Sequence, residues 1–103
     1  MEKLSVGLVQ FSPSDDAADN REVLRDAFGH LGDADLIVLP EYSAWFHTDT
    51  ERWHDGVEPI DGPFVTFLRE QSRELSATIL AGLLVSNGDS ITNTVVAVDA
   101  HGV

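Results

Sequence analysis

Glu41 follows directly on Leu36-Ile37-Val38-Leu39-Pro40 and is the residue whose placement most clearly suggests chemistry. A run apolar on both faces suits a central parallel strand, and Pro40, with no N–H to give to a ladder, ends it. Open α/β sheets bind ligands at the carboxyl ends of their strands, where loops diverge and the backbone fixes side-chain positions. A carboxylate held there and partly desolvated can work as a general base. The plain alternative is a solvated glutamate in an ordinary ion pair.

The segment from Tyr42 to Glu58 is long for a connection and carries Trp45, Phe46 and Trp53 among polar residues. Beside a strand end, such a loop can form a pocket wall or lid, which makes Tyr42, Trp45 and Trp53 candidates for contact with a substrate. Packing of the loop onto the body of the domain is the competing use, expected for at least one of the two tryptophans. His47, Asp49, Glu51, His54 and Asp55 have metal-ligating side chains, but no recognised pattern such as H-E-x-x-H orders them. No metal or cofactor is expected. Ser43 near His47 lacks the Gly-x-Ser-x-Gly elbow of a serine hydrolase. Asp15 and Asp16 follow the first strand and could hold Mg²⁺, although helix capping accounts for them equally well. No glycine-rich phosphate loop of the dinucleotide or Walker type is present.

These residues need a scaffold, and the hydrophobic pattern supplies one. Leu4–Gln10 reads as a buried strand closed by Ser12-Pro13-Ser14. A helix is predicted from about Asp16 to His30, with Leu24, Ala27, Phe28 and Leu31 on one stripe and Val23 widening it. Asp15, Asp16 and Asp19 serve its positive end, and Gly29 and Gly32 its stop. The strand Asp35–Leu39 comes next. A second helix is predicted from Pro63 to about Ser76, with Phe64, Phe67, Leu68 and Leu75 on one face. Thr78–Val85 is a strand, and Asn87-Gly88 signals a hairpin that returns Ile91–Val98 antiparallel beside it. The order β-α-β-α-β-β points to an α/β sheet.

Composition narrows the function further. The chain has 103 residues, which allows a single domain over 1–103 with no internal boundary. Eighteen acidic side chains against six basic ones give a net charge of −12, which argues against nucleic acid or anionic lipid as a partner. The absence of cysteine excludes disulfides, cysteine zinc sites and a thiol nucleophile within these residues. The N-terminal apolar run is too short and too soon polar for a signal peptide, and no stretch reaches the ~20 apolar residues of a membrane span. A cytoplasmic protein is the expectation.

Several segments together resemble the opening of the nitrilase superfamily, the carbon–nitrogen hydrolases. They are Val6-Gly-Leu-Val-Gln-Phe11, Asn20, Gly32-Asp-Ala-Asp-Leu-Ile-Val-Leu-Pro-Glu-Tyr42, Asp61-Gly-Pro63, Ile79-Leu-Ala-Gly-Leu83, Ile91-Thr-Asn-Thr94 and Asp99-Ala-His-Gly102. The Ala-Asp-Leu-Ile-Val-Leu-Pro-Glu run is the most specific, and Thr92 stands where many members carry Tyr. The resemblance implies the N-terminal part of an α-β-β-α sandwich, a mixed sheet with helices on one face, truncated at an exposed edge. It also implies a Glu–Lys–Cys catalytic set with Glu41 as general base. The Lys and Cys would fall beyond Val103, and the only lysine, Lys3, precedes the first strand. The resemblance thus implies a parent hydrolase, amidase-like rather than a true nitrilase, acting on a small-molecule amide or nitrile. That parent would be a homodimer or higher homo-oligomer, while these 103 residues alone would be inactive.

Two other classes stay open on the residues alone. One is a non-catalytic binding or assembly module that retains the half-sandwich. The other is an acidic receiver-type domain with Mg²⁺ on Asp15 and Asp16, although the strand end where its acceptor Asp would stand holds Pro40-Glu41.

Overall fold

A computed structural model of the chain describes residues 3–103. Four strands form one mixed sheet: β1 (Val6–Leu8), β2 (Leu36–Val38), β3 (Thr78–Asn87) and β4 (Ser90–Val98), in that spatial order. The first three run parallel, with Val6 opposite Leu36 and Leu36 opposite Thr78, and β4 lies antiparallel to β3. The helices are α1 (Ala17–Phe28), the single-turn α2 (Trp53–Gly56) and α3 (Pro63–Leu75). The expected order of the main elements holds, and the α/β class with it. The connection after β2 is less plain than expected, since a 3₁₀ turn over Thr50–Arg52 leads into α2 there.

Asp16 caps α1 by accepting the Asp19 N–H at 3.0 Å, and Pro63 occupies the first turn of α3. Leu24 and Phe28 are fully buried, whereas Val23 is exposed and lies off the stripe it was expected to widen. Helical geometry explains this, because Val23 is 100° round from Leu24 and points away from the sheet. Phe64, Phe67 and Leu68 of α3 are buried, and the Phe28 and Phe67 rings stack at 6.2 Å where the two helices meet. Under the helices, Ile37, Leu39, Ile79, Ala81, Leu83, Val85, Val96 and Val98 fill one face of the sheet. A side chain on Gly7 would stand 3.1 Å from Leu31, so the absence of one lets the end of α1 settle onto β1.

The hairpin forms as expected, with β4 returning antiparallel beside β3. Asn87 pairs with Ser90, so Gly88 and Asp89 are the two central residues. Gly88 has φ 70° and Asp89 does not share the positive φ, which is the II′ pattern with glycine first. Asn87 stays in the ladder, where its side chain donates to Thr92 at 2.8 Å.

Candidate active site

The ladder between β2 and β3 does not stop at Val38. Leu39 N–H donates to Leu80 O at 2.8 Å, which continues the parallel register. In that register the next donor, to Gly82 O, would be Glu41 N–H. The donor is instead Ser43 N–H at 2.9 Å, while Gly82 N–H reaches Pro40 O at 3.3 Å. Glu41 and Tyr42 are therefore extruded from the ladder as a bulge. The irregularity starts at Pro40, whose carbonyl takes the Gly82 N–H that the regular register would give to Leu39 O. Tyr42 completes it in the left-handed conformation, φ 58°, which is costly for a residue with a Cβ. Bulges next to a strand end re-aim a side chain, and here the residue re-aimed is Glu41.

The direction of the bulge follows from Gly82. Ala81 and Leu83 belong to the core under the helices, so the Cβ that Gly82 lacks would point to the opposite face of the sheet. That Cβ would lie 2.8 Å from Glu41 Cα. Glu41 thus folds over the face that carries no helix, and it is exposed there rather than partly desolvated as expected.

The loop that follows is tied to β3 at both ends. Ser43 is fully buried, and its hydroxyl donates to Pro40 O. At the far end Glu58 bridges Val85 and accepts the Ser86 N–H at 2.9 Å on its backbone carbonyl. The Glu58 carboxylate accepts the Phe64 N–H at 3.1 Å, capping α3 where Gly62 offers no side chain. Burial pushes the Glu58 carboxyl above its ordinary pKa, against the opposing pull of the Phe64 N–H and of Arg21.

Within the loop the aromatic residues take different places. Trp45 is buried in the core, donates its indole N–H to Asp15 O at 2.7 Å, and lies directly under Gly56. Tyr42, Phe46 and Trp53 form a half-buried cluster, with Tyr42 4.7 Å from Phe46 and 6.2 Å from Trp53 between ring centroids. Trp53 is oriented by a 2.9 Å bond from its indole N–H to His47 O. The structure therefore sets Tyr42 and Trp53 beside the glutamate bulge and Trp45 behind it.

Three of the remaining polar candidates are occupied locally. His47 Nδ1 accepts the Asp49 N–H, Asp49 accepts the Glu51 N–H, and Asp55 pairs with Arg52. Among the described residues no three His, Asp or Glu side chains converge as a metal site. Asp16 is the cap of α1, and Asp15 contributes its carbonyl to Trp45.

Three residues without an assigned role prove to hold the site. Asn20, 2% exposed, accepts the Ser14 N–H at 2.9 Å and donates to Ser14 O at 2.9 Å and Ala44 O at 3.1 Å. It thereby locks the loop after β1 to the loop after Glu41. Gly82 and Ser43 are the other two. The sequence signals were a polar residue at a buried helical position, a glycine inside a strand and a serine in an aromatic loop, each weak alone.

Among the described residues no helix is long and apolar enough to cross a membrane. A sequence model described as Carbon-nitrogen hydrolase matches residues 5–103. Hydrolase Rv0480c of Mycobacterium tuberculosis (strain ATCC 25618 / H37Rv) is 29% identical over 97 residues, covering 91% of this chain and 34% of that protein. The chain thus spans about a third of the length of the curated relatives it matches. Among solved structures, XC1258 from Xanthomonas campestris, a CN-hydrolase superfamily protein, superposes with a TM-score of 0.79 at 28% identity. It is covered over 41% of its length by 96% of this chain. Saccharomyces cerevisiae Nit3, a member of branch 10 of the nitrilase superfamily, gives 0.76 at 25% identity with the same two coverages. The C. elegans NitFhit protein shares the fold at a TM-score of 0.81 and 17% identity. With the family model matching nearly the whole chain and the fold shared with these structures, the chain belongs to the carbon–nitrogen hydrolases of the nitrilase superfamily.

Proposed function

We propose that Glu41 is the general base of an amidase-like hydrolase whose thiol nucleophile and lysine are supplied from outside these 103 residues. The supporting observation is the bulge that takes Glu41 out of the β2–β3 ladder in a chain of this family. An amide carbon is a poor electrophile, so attack by a thiolate and a covalent intermediate divide one hard step into two easier ones. Glu41 takes the thiol proton as sulfur bonds to the carbonyl carbon and the C=O electron pair moves onto oxygen. The lysine ammonium stabilises that charge. Collapse re-forms the C=O bond and breaks the C–N bond, and Glu41 gives its proton to the departing ammonia or amine. In the second half Glu41 removes a proton from water as its oxygen attacks the thioester. The acid then leaves, and the thiolate recovers the proton held on Glu41.

Tyr42 and Trp53 would form one wall of the pocket, where their rings suit a small apolar substituent on the substrate. A cytoplasmic setting keeps a free thiol reduced, and assembly as a homodimer fits the family resemblance. In the full-length hydrolase, Glu41→Gln should cut ammonia release from short-chain amides by about a hundredfold or more while circular dichroism is unchanged. Full activity in that variant removes Glu41 from the mechanism. The 103-residue chain by itself should release no ammonia, and turnover by it would refute the need for an external thiol.

A further inference from the structure

We propose that Gly82 and Ser43 are positioning residues for Glu41, acting as a clamp that holds the bulge against β3. This rests on the reading of Glu41 as the general base. Three independent contacts make the clamp. Gly82 N–H holds Pro40 O, the carbonyl immediately before Glu41, and Gly82 O accepts the Ser43 N–H two residues after it. The buried Ser43 hydroxyl closes the turn on the same Pro40 carbonyl, so one oxygen receives both donors. Each end of the Glu41–Tyr42 bulge is therefore bonded to the same residue of β3.

The backbone of Glu41 can approach this closely only because position 82 has no side chain. A Cβ there would lie 2.8 Å from Glu41 Cα, 3.3 Å from Glu41 N and 3.3 Å from Pro40 O. All three are backbone atoms, so no flexible side chain can give way and the bulge itself must move. The left-handed Tyr42 favours such a movement once the clamp is loosened, because relaxing to negative φ relieves its strain. Displacing a catalytic group by about 1 Å can cost about a hundredfold in rate. Neither Gly82 nor Ser43 need touch the reacting atoms to have that effect.

The test uses the full-length hydrolase with short-chain amides as substrates. Gly82→Ala should lower kcat by about tenfold to a hundredfold and raise KM by a smaller factor, because the base moves out of line while Tyr42 moves with it and Trp53 keeps its place in the wall. Ser43→Ala, which keeps the backbone bond and loses only the hydroxyl, should lower kcat severalfold with the same KM. Leu83→Ala is the structural comparator, since its side chain lies in the core on the other face of β3. It should lower thermal stability and leave kcat per folded molecule unchanged. Wild-type kcat in Gly82→Ala overturns the clamp, as does an equal loss of kcat in Leu83→Ala. Should Gly82→Ala fail to fold, Ser43→Ala decides, and unchanged kcat there overturns the proposal. Activity surviving in Glu41→Gln, or absent from the unmodified hydrolase, defeats the general-base reading instead.

Discussion

The two faces of the sheet are built from similar residues and meet opposite fates. On one, Ile79, Leu83 and Val98 are completely buried and Ile37 is 1% exposed under α1 and α3. On the other, Val6, Leu8 and Val95 stand 48%, 69% and 74% exposed, although Leu84 is buried. Strand residues alternate between faces, so Leu36-Ile37-Val38-Leu39 sends two apolar side chains each way. The difference lies in what the rest of the chain places against each face. Two amphipathic helices cover the first, and among the described residues no helix covers the second. Glu41 folds over that second face.

The contrast can be broken from either side. The largest effect is expected on the covered face, where Leu83→Ala should cost about 2–5 kcal/mol by urea unfolding of the chain, the range for emptying a packed core position. A loss below about 1 kcal/mol would mean that the covered face packs no better than the open one.

Glu58 lies at the margin between the two regimes, half-buried where the aromatic loop rejoins β3. Burial raises its folded pKa above the ordinary value of 4.5, so the folded chain holds this proton more tightly than the unfolded one. Its contribution to stability is therefore most favourable below pH 4.5 and declines as pH rises through the raised folded value. Glu58→Gln, whose amide oxygen can still accept from Phe64 N–H, should flatten stability against pH across that window. An unchanged slope in that variant would class the margin with the solvated face.

The smallest effect belongs to the open face. Leu8→Thr should change unfolding free energy by no more than about 0.5 kcal/mol, while light scattering at high concentration should fall as an apolar patch is removed. A cost comparable with that of Leu83→Ala would show that the open face is covered in solution.

Much of this arrangement was legible in the sequence because it is local. The period of Leu24 and Phe28, the proline opening α3 and the apolar runs of β2 and β3 each act within one element. Val23 falls outside the stripe it was expected to widen, and the hairpin forms where it was expected with a turn type that the sequence left open. The width of a helical stripe depends on how the helix sits, and the turn type depends on where the ladder ends. The single turn of helix after Thr50 was missed because aromatic and polar residues alternate there without a period.

The candidate site divides the same way. The position of Glu41 at the end of an apolar strand is a property of consecutive residues, readable without a structure. So is the absence of cysteine, which means that a thiol mechanism would need its nucleophile from outside these residues. Folding alone decided that Trp45 faces the core while Trp53 joins Tyr42, that Asn20 ties two distant loops together, and that Gly82 lies under Glu41. Sequence separates Gly82 from Glu41 by forty-one positions. Only the parallel pairing of β2 with β3 brings the two together so closely that a Cβ on position 82 would meet the Glu41 backbone, since non-local hydrogen-bond register is set by the packing of the whole sheet.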